Sequence, residues 1–230
     1  MFKSLIFGVP IILNYSIGKT GSRSVDSFLR KNKIYHWHVH RFDLTKIYKI
    51  KLNVFAIYID KFLLYLLKKR VKKLYIITGF REQFNRDLSM YLYHNPINSL
   101  SINEHKNSFI NHFPINQFHN WITKDFNKSF NVNLYNYRFN SSGYFTMRYF
   151  SNSLDINMLI YKLSELSQLE SIIKSFLNLK DYKLFYDSEI RSESEKAKIK
   201  EFEALVVDSY HLKLKENDDL KKYDKFYNSR

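Results

Sequence analysis

The chain has 230 residues and a formal net charge of +15, from 37 Lys and Arg against 22 Asp and Glu. That excess favours an anionic partner, whether nucleotide, nucleic acid, acidic glycan or membrane surface, without choosing among them. The lack of cysteine excludes disulfides, thiolate zinc sites and cysteine nucleophiles, and permits a reducing compartment.

A hydrophobic content of 45%, with 5 Gly and 3 Pro, describes one globular domain over 1–230 with few flexible linkers. The opening "MFKSLIFGVPIIL" resembles the core of a signal peptide. No A-x-A-like site follows it, so it reads as the approach to a buried strand over 9–17. A loop over 18–23 and a helix over about 24–32 come next, then an alternating extended segment, "IYHWHVHRF", over 34–42. Residues 54–70 place Phe55, Ile59, Phe62, Leu63, Leu66 and Leu67 on one helical face. That run carries Asp60 and Lys61 and is too short to span a bilayer; its basic end, "KKRVKK", suits a helix C-terminus.

"KLYIITGF" (73–80) reads as a buried strand and "REQFNRDLSMYLYH" as the helix after it. The polar "NPINSLSINEHKNS" (95–108) reads as a loop or irregular insertion, followed by a helix near 115–129 and a strand or hairpin at 130–150. "DINMLIYKL" (155–163) is a further strand, and "SELSQLESIIKSFL" (164–177) an amphipathic helix capped by Ser164. A charged, helix-prone tail begins at about 188. Strands alternating with helices predict a three-layer α/β domain with a mainly parallel central sheet.

"YSIGKTGSRS" (15–24) ends the first strand with two glycines, a lysine and several hydroxyls. Gly18-Lys19-Thr20 invites a P-loop NTPase reading, but the Walker pattern requires glycine where Leu13 stands. The shorter arrangement still makes an anion cradle. Gly18 and Gly21 permit a tight turn, the next helix offers its first N–H groups, Lys19 adds charge, and Thr20, Ser22 and Ser24 offer hydroxyls. A second constellation follows strand 73–80. Arg81 leaves its carboxyl end, where open α/β sheets bind ligands, and Ser89 lies about two helical turns on. A surface pairing of Arg81 or Arg86 with Glu82 or Asp87 is the plainer alternative. His36, His38 and His40 alternate, so an extended strand projects all three from one face. Such a face could bind a metal, serve structure only, or supply a general base, for which a neutral imidazole suits.

The order of these motifs resembles the donor-binding pair of carbohydrate sulfotransferases that use 3′-phosphoadenosine-5′-phosphosulfate (PAPS). The resemblance implies that "GKTGSRS" holds the 5′-phosphosulfate through Gly18, Lys19, Thr20, Gly21, Ser22, Arg23 and Ser24. It implies that Arg81 and Ser89 hold the 3′-phosphate. "YHWHVHRFD" is similar to the Tyr-His-x-His-Val run of uronyl 2-O-sulfotransferases, which makes His38 the base and His36 its companion. The order of motifs, with "ITGFREQFNRDLSMY" and "IYKLSEL", also looks like bacterial capsular polysaccharide synthesis proteins. The tail "EIRSESEKAKIKEFEAL" departs from their pattern, leaving open whether Lys196 or Lys198 closes over the donor.

The resemblance implies a P-loop-like fold and sulfuryl transfer from PAPS to a carbohydrate hydroxyl, releasing adenosine 3′,5′-bisphosphate. That chemistry requires no metal. The sequence shows no motif that interleaves basic and aromatic residues on an identifiable nucleic-acid module and no transmembrane helix, which favours a cytoplasmic enzyme of bacterial type with room for peripheral membrane association. The alternatives are a non-catalytic nucleotide or anionic-glycan binding protein and a kinase-like NTPase.

Overall fold

A computed structural model describes residues 10–39, 73–151, 154–179 and 192–228. The helix expected over 54–70, the first nine residues and His40 lie outside these segments. The first described strand is β1 (Ile11–Tyr15), followed by helix α1 (Ser22–Lys31) and the short strand β2 (Trp37–Val39). Strand β3 (Lys73–Phe80) leads into α2 (Gln83–His94). All five residues of β1 and the last five of β3 are buried. Their near-continuous apolar runs are what strands covered on both faces require.

The sheet has the order β2-β1-β3-β5-β4, where β4 is Tyr144–Ser151 and β5 is Leu154–Lys162. β1 pairs in parallel with β2 and β3, and β3 in parallel with β5; only the edge strand β4 runs antiparallel. The expected mainly parallel α/β sheet is therefore present. It brings the carboxyl ends of β2, β1, β3 and β5 to one edge.

Alternation along β1 divides the packing. Ile11, Leu13 and Tyr15 join a core with Ile76, Phe80, Phe118, Trp121 and Phe126, whereas Ile12 joins Val25, Phe28, Leu29, Ile77, Leu159 and Ile173. The first core takes its helical side from α4 (Gln117–Asn120), a π-helical turn (Trp121–Phe126), α5 (Asn127–Phe130) and, near the end of the chain, α8 (Asp218–Asn228). The second is closed by α1 and by α6 (Leu166–Leu177), which follows a 3-10 turn at Leu163–Glu165.

A third cluster lies among helices alone. α2 packs with α7 (Glu193–Glu216) through Phe84, Leu88, Tyr91, Phe202, Val206 and Tyr210, and Phe109 of a π-helical turn (Ser108–His112) joins them. Two sequence expectations change here. The segment read as loop over 95–108 contains α3 (Ile102–Asn107), started by a capping box in which Ser101 and Glu104 bond each other's backbone N–H. The strand or hairpin expected over 130–150 is reduced to β4, preceded by a 3-10 turn at Leu134–Asn136. Among the described residues, no helix is long and apolar enough to cross a membrane.

Candidate functional site

The loop between β1 and α1 is shaped by its neighbours as much as by its glycines. Lys19 and Gly21 both have positive φ, 69° and 83°. For lysine this left-handed backbone costs roughly 1 kcal/mol, so the surrounding structure must impose it. The restraint is visible. The Thr20 hydroxyl donates to the Ile17 carbonyl at 2.7 Å, and the buried Tyr161 hydroxyl of β5 donates to the Thr20 carbonyl at 3.2 Å. A Cβ on Gly79 of β3 would stand 2.2 Å from that same carbonyl, and one on Gly21 would stand 2.5 Å from Leu163 Cδ1. Thr20 is thus fully buried and its hydroxyl proton is engaged inside the loop, not offered outward.

The loop delivers the chain into α1 with Gly21 at the cap position, no side-chain cap and no acidic residue in the first turn. Ser22 is 6% exposed, Ser24 half-buried and Arg23 exposed. An uncapped N-terminus of a ten-residue helix, next to a lysine, attracts negative charge. The contrast with α2 is direct. There the Glu82 carboxylate accepts from the N–H groups of Phe84 and Asn85, at 3.0 and 2.8 Å, so that helix start is already satisfied.

Arg81 and Ser89 are both half-buried. Arg81 follows β3 directly, and its carbonyl accepts from the Tyr223 hydroxyl at 2.5 Å, which ties it to α8. Ser89 lies on α2 beside Met90, and α2 lies against the glycine loop. A Cβ on Gly18 would stand 2.6 Å from Met90 Cε, and Lys19 Nζ sits 4.1 Å from the centre of the Tyr93 ring. The loop after β1 therefore meets the helix that bears Ser89, and Arg81 leaves the carboxyl end of the adjacent parallel strand.

The surface pairing considered for Arg86 and Asp87 is replaced by a buried one. Both are fully buried, and Asp87 accepts from Arg86 at 2.6 Å, Gln83 at 2.8 Å and the Tyr210 hydroxyl at 2.7 Å. Burial pushes the Asp87 carboxyl above its ordinary range, against the pull of Arg86 and these hydrogen bonds. This group serves the helical cluster. The two tail lysines are engaged on α7, Lys196 with Glu193 at 2.5 Å and Lys198 with the Asn98 side chain at 2.7 Å.

His38 of β2 and His36, the residue just before that strand, turn towards α1 and share one carboxylate. Asp26 Oδ1 lies 3.1 Å from His36 Nε2, and Oδ2 lies 2.5 Å from His38 Nδ1. Asn14 of β1 donates to Asp26 Oδ1 and to the Ser22 carbonyl, each at 2.7 Å. Burial alone would raise the Asp26 pKa. The hydrogen bonds from His36, His38 and Asn14 outweigh it and hold the carboxyl well below its usual range. The His36 side chain is 7% exposed and that of His38 25%. His38 pairs in register with Asn14, two residues before the loop opens at Ser16, so the histidines flank the cradle. Among the described residues no group of three His, Asp or Glu side chains is arranged to hold a metal ion.

Sequence reasoning named the histidines but missed Asp26 and Asn14. A signal for Asp26 was present. Ser22, Val25, Asp26 and Leu29 occupy the i, i+3, i+4, i+7 stripe that α1 buries. A carboxylate on such a stripe needs partners, and alternating histidines on a neighbouring strand can supply them. Tyr161, Met90 and Tyr93 left no such trace, because their contacts with the loop depend on strand order and helix placement. Comparison with family models, with curated proteins and with solved structures finds no match for this chain.

Proposed function

We propose that the protein is a PAPS-dependent O-sulfotransferase, acting in the cytoplasm on a carbohydrate hydroxyl, with a three-layer P-loop-like framework. The observation that carries this reading is the packing of the Gly18–Lys19 backbone and side chain onto Met90 and Tyr93, on the helix that bears Ser89. Two anion-binding segments far apart in sequence thereby flank one edge of the sheet. A ligand with phosphates on both the 3′ and 5′ oxygens of one ribose would use both segments.

In this reading Arg81 and Ser89 hold the 3′-phosphate. Lys19 and the first N–H groups of α1 hold the phosphosulfate, with Arg23 and Ser24 at its rim. Gly18, Gly21 and the buried Thr20 and Ser22 shape the loop; Thr20 contributes backbone, since its hydroxyl proton is engaged at Ile17. The acceptor oxygen attacks sulfur and its proton passes to His38 Nε2. The bond from sulfur to the bridging oxygen breaks, leaving its electron pair on the 5′-phosphate. Lys19 and the α1 N–H groups face the charge that develops there, a role whose loss typically costs on the order of 10²–10³ in rate. His36 shares the Asp26 carboxylate with the base.

Thermal denaturation in the presence of adenosine 3′,5′-bisphosphate, with the 5′-monophosphate as control, tests the reading. Saturation at about 100 times the dissociation constant stabilises by ~2.7 kcal/mol, so a clear rise in melting temperature is expected for the bisphosphate alone. Equal shifts with both ligands would remove Arg81 and Ser89 from the site. Selective binding without transfer to any glycan would make the protein a non-catalytic nucleotide binder.

A further inference from the structure

We propose that the cavity between α8 and the turn that follows α5 is a second anion site, separate from the glycine loop, which binds one acidic sugar unit of a carbohydrate chain, a uronate or a sulfated sugar. The assignment does not rest on the sulfotransferase reading; under that reading the site holds a unit of the acceptor away from the reacting hydroxyl.

The cavity measures about 620 Å³, within the size range of small-molecule sites. It lies in the helical layer over the first core, whereas α1 and its Asp26 cluster lie on the other face of the sheet. Its buried polar wall is His119 of α4, 7% exposed, which stacks on Tyr135 and shares a 2.9 Å hydrogen bond between Nδ1 and the Tyr135 hydroxyl. Burial, opposed by the nearby Asp219 charge, lowers the His119 pKa, so at neutral pH the positive charge of the site comes from elsewhere. It comes from Arg138, Lys222 and Lys225, all exposed at the cavity. Lys222 stands 3.7 Å from Asp219, but Arg138 and Lys225 make no ion pair among the described residues.

The side-chain amides around these cations are preset as donors. Asn127 Oδ1 accepts from the Leu134 N–H at 3.1 Å, which leaves its NH2 group to offer. Asn133 Oδ1 accepts from the Tyr135 N–H at 3.2 Å, so its NH2 donates, at 3.3 Å, to Asn136 Oδ1. Asn136 in turn offers its own NH2. With these oxygens turned to protein donors, the cavity presents N–H groups and positive charge, which fit a ligand of negative charge and oxygen acceptors. Two further features call for a sugar. The Thr123 hydroxyl gives its proton to the His119 carbonyl at 2.9 Å and keeps lone pairs that can accept from a ligand hydroxyl. The Tyr137 ring, 38% exposed and stacked on Phe145, supplies an apolar surface for the C–H face of a pyranose. A nucleic-acid strand needs a row of phosphate contacts, and here the cations gather round one cavity. α8 carries two of them and, through the Tyr223 hydroxyl, bonds the Arg81 carbonyl, so this site and the carboxyl edge of the sheet share one helix.

The test is a calorimetric titration of the full chain, without nucleotide, using a heparin-derived tetrasaccharide, a hyaluronan tetrasaccharide and neutral maltotetraose. At least one acidic probe should bind and the neutral one should not; the tighter acidic probe assigns sulfate or carboxylate. Arg138→Gln combined with Lys225→Gln should weaken that binding about tenfold or more, because hydrogen bonds from charged donors are lost. Asn136→Ala should weaken it several-fold. Lys33→Gln combined with Lys200→Gln removes the same charge from exposed lysines outside the cavity and should change binding less than about threefold. Equal losses in the two double variants, equal binding of maltotetraose, or no binding of either acidic probe at millimolar concentration would each overturn the proposal. A single-stranded dT oligonucleotide that binds more tightly than both acidic probes, and depends on Arg138 and Lys225, would overturn it in favour of a nucleic-acid site. Arg138 and Lys225 are exposed, so their replacement leaves the fold intact. Adenosine 3′,5′-bisphosphate takes no part in these titrations: its failure to bind would remove the PAPS reading and leave this site standing, and failure of the tetrasaccharides would do the reverse.

Discussion

At the residue scale, Asp26 gathers more consequences than any side chain on the cradle. Its carboxyl is held down by hydrogen bonds from His36, His38 and Asn14, which burial opposes. A depressed folded-state pKa means that the unfolded chain takes up a proton first as pH falls. The associated stability is complete above the ordinary value of 3.8 and is lost progressively as pH drops below it. The difference in urea midpoint between wild type and Asp26→Asn should therefore be large at neutral pH and shrink below about pH 4. A constant difference down to about pH 3 would mean that the carboxylate is not specially stabilised by its partners. The candidate residues were largely legible at this scale, since Lys19, Arg81, Ser89, His36 and His38 are marked by type and spacing. Their partners were not, because a hydrogen bond from Asn14 to Asp26 spans two elements whose approach is set elsewhere.

At the scale of elements, the cradle is a loop clamped between strands. β3 passes beneath it at Gly79, where any side chain would meet the Thr20 carbonyl at 2.2 Å and the Tyr161 hydroxyl at 2.6 Å. The first of these is backbone and the second is a buried hydrogen-bonded ring, so neither yields easily. Gly79→Ala should cost about 1–3 kcal/mol, the usual range for overpacking, and should weaken binding of adenosine 3′,5′-bisphosphate by displacing the loop. Chemical denaturation and a binding titration check both effects; a variant equal to wild type in each would show that the loop does not depend on this approach. Strand β3 and helix α2 were readable from apolar runs and periodicity. The helix α3 was hidden by its polar composition, although Ser101 and Glu104 stand at capping-box spacing.

At the scale of the whole molecule, the formal charge of +15 is a long-range field rather than a site. Salt screens such a field over about 8 Å at physiological ionic strength, while contacts inside a cradle are screened less. Affinity for adenosine 3′,5′-bisphosphate should therefore fall several-fold, without vanishing, between about 50 mM and 500 mM salt in a titration. Salt-independent binding would detach the ligand from this basic surface.

The sequence by itself determined the α/β class, the buried strands, the glycine–lysine turn and the alternating histidines. Each of these follows from local periodicity, backbone freedom or side-chain chemistry. Only the tertiary structure decided that the turn lies against Met90 and Tyr93, that Thr20 is locked beneath Tyr161, and that one aspartate holds both histidines. The physical reason is the strand order β2-β1-β3-β5-β4, which brings distant carboxyl ends to one edge through long-range pairing that no local pattern encodes.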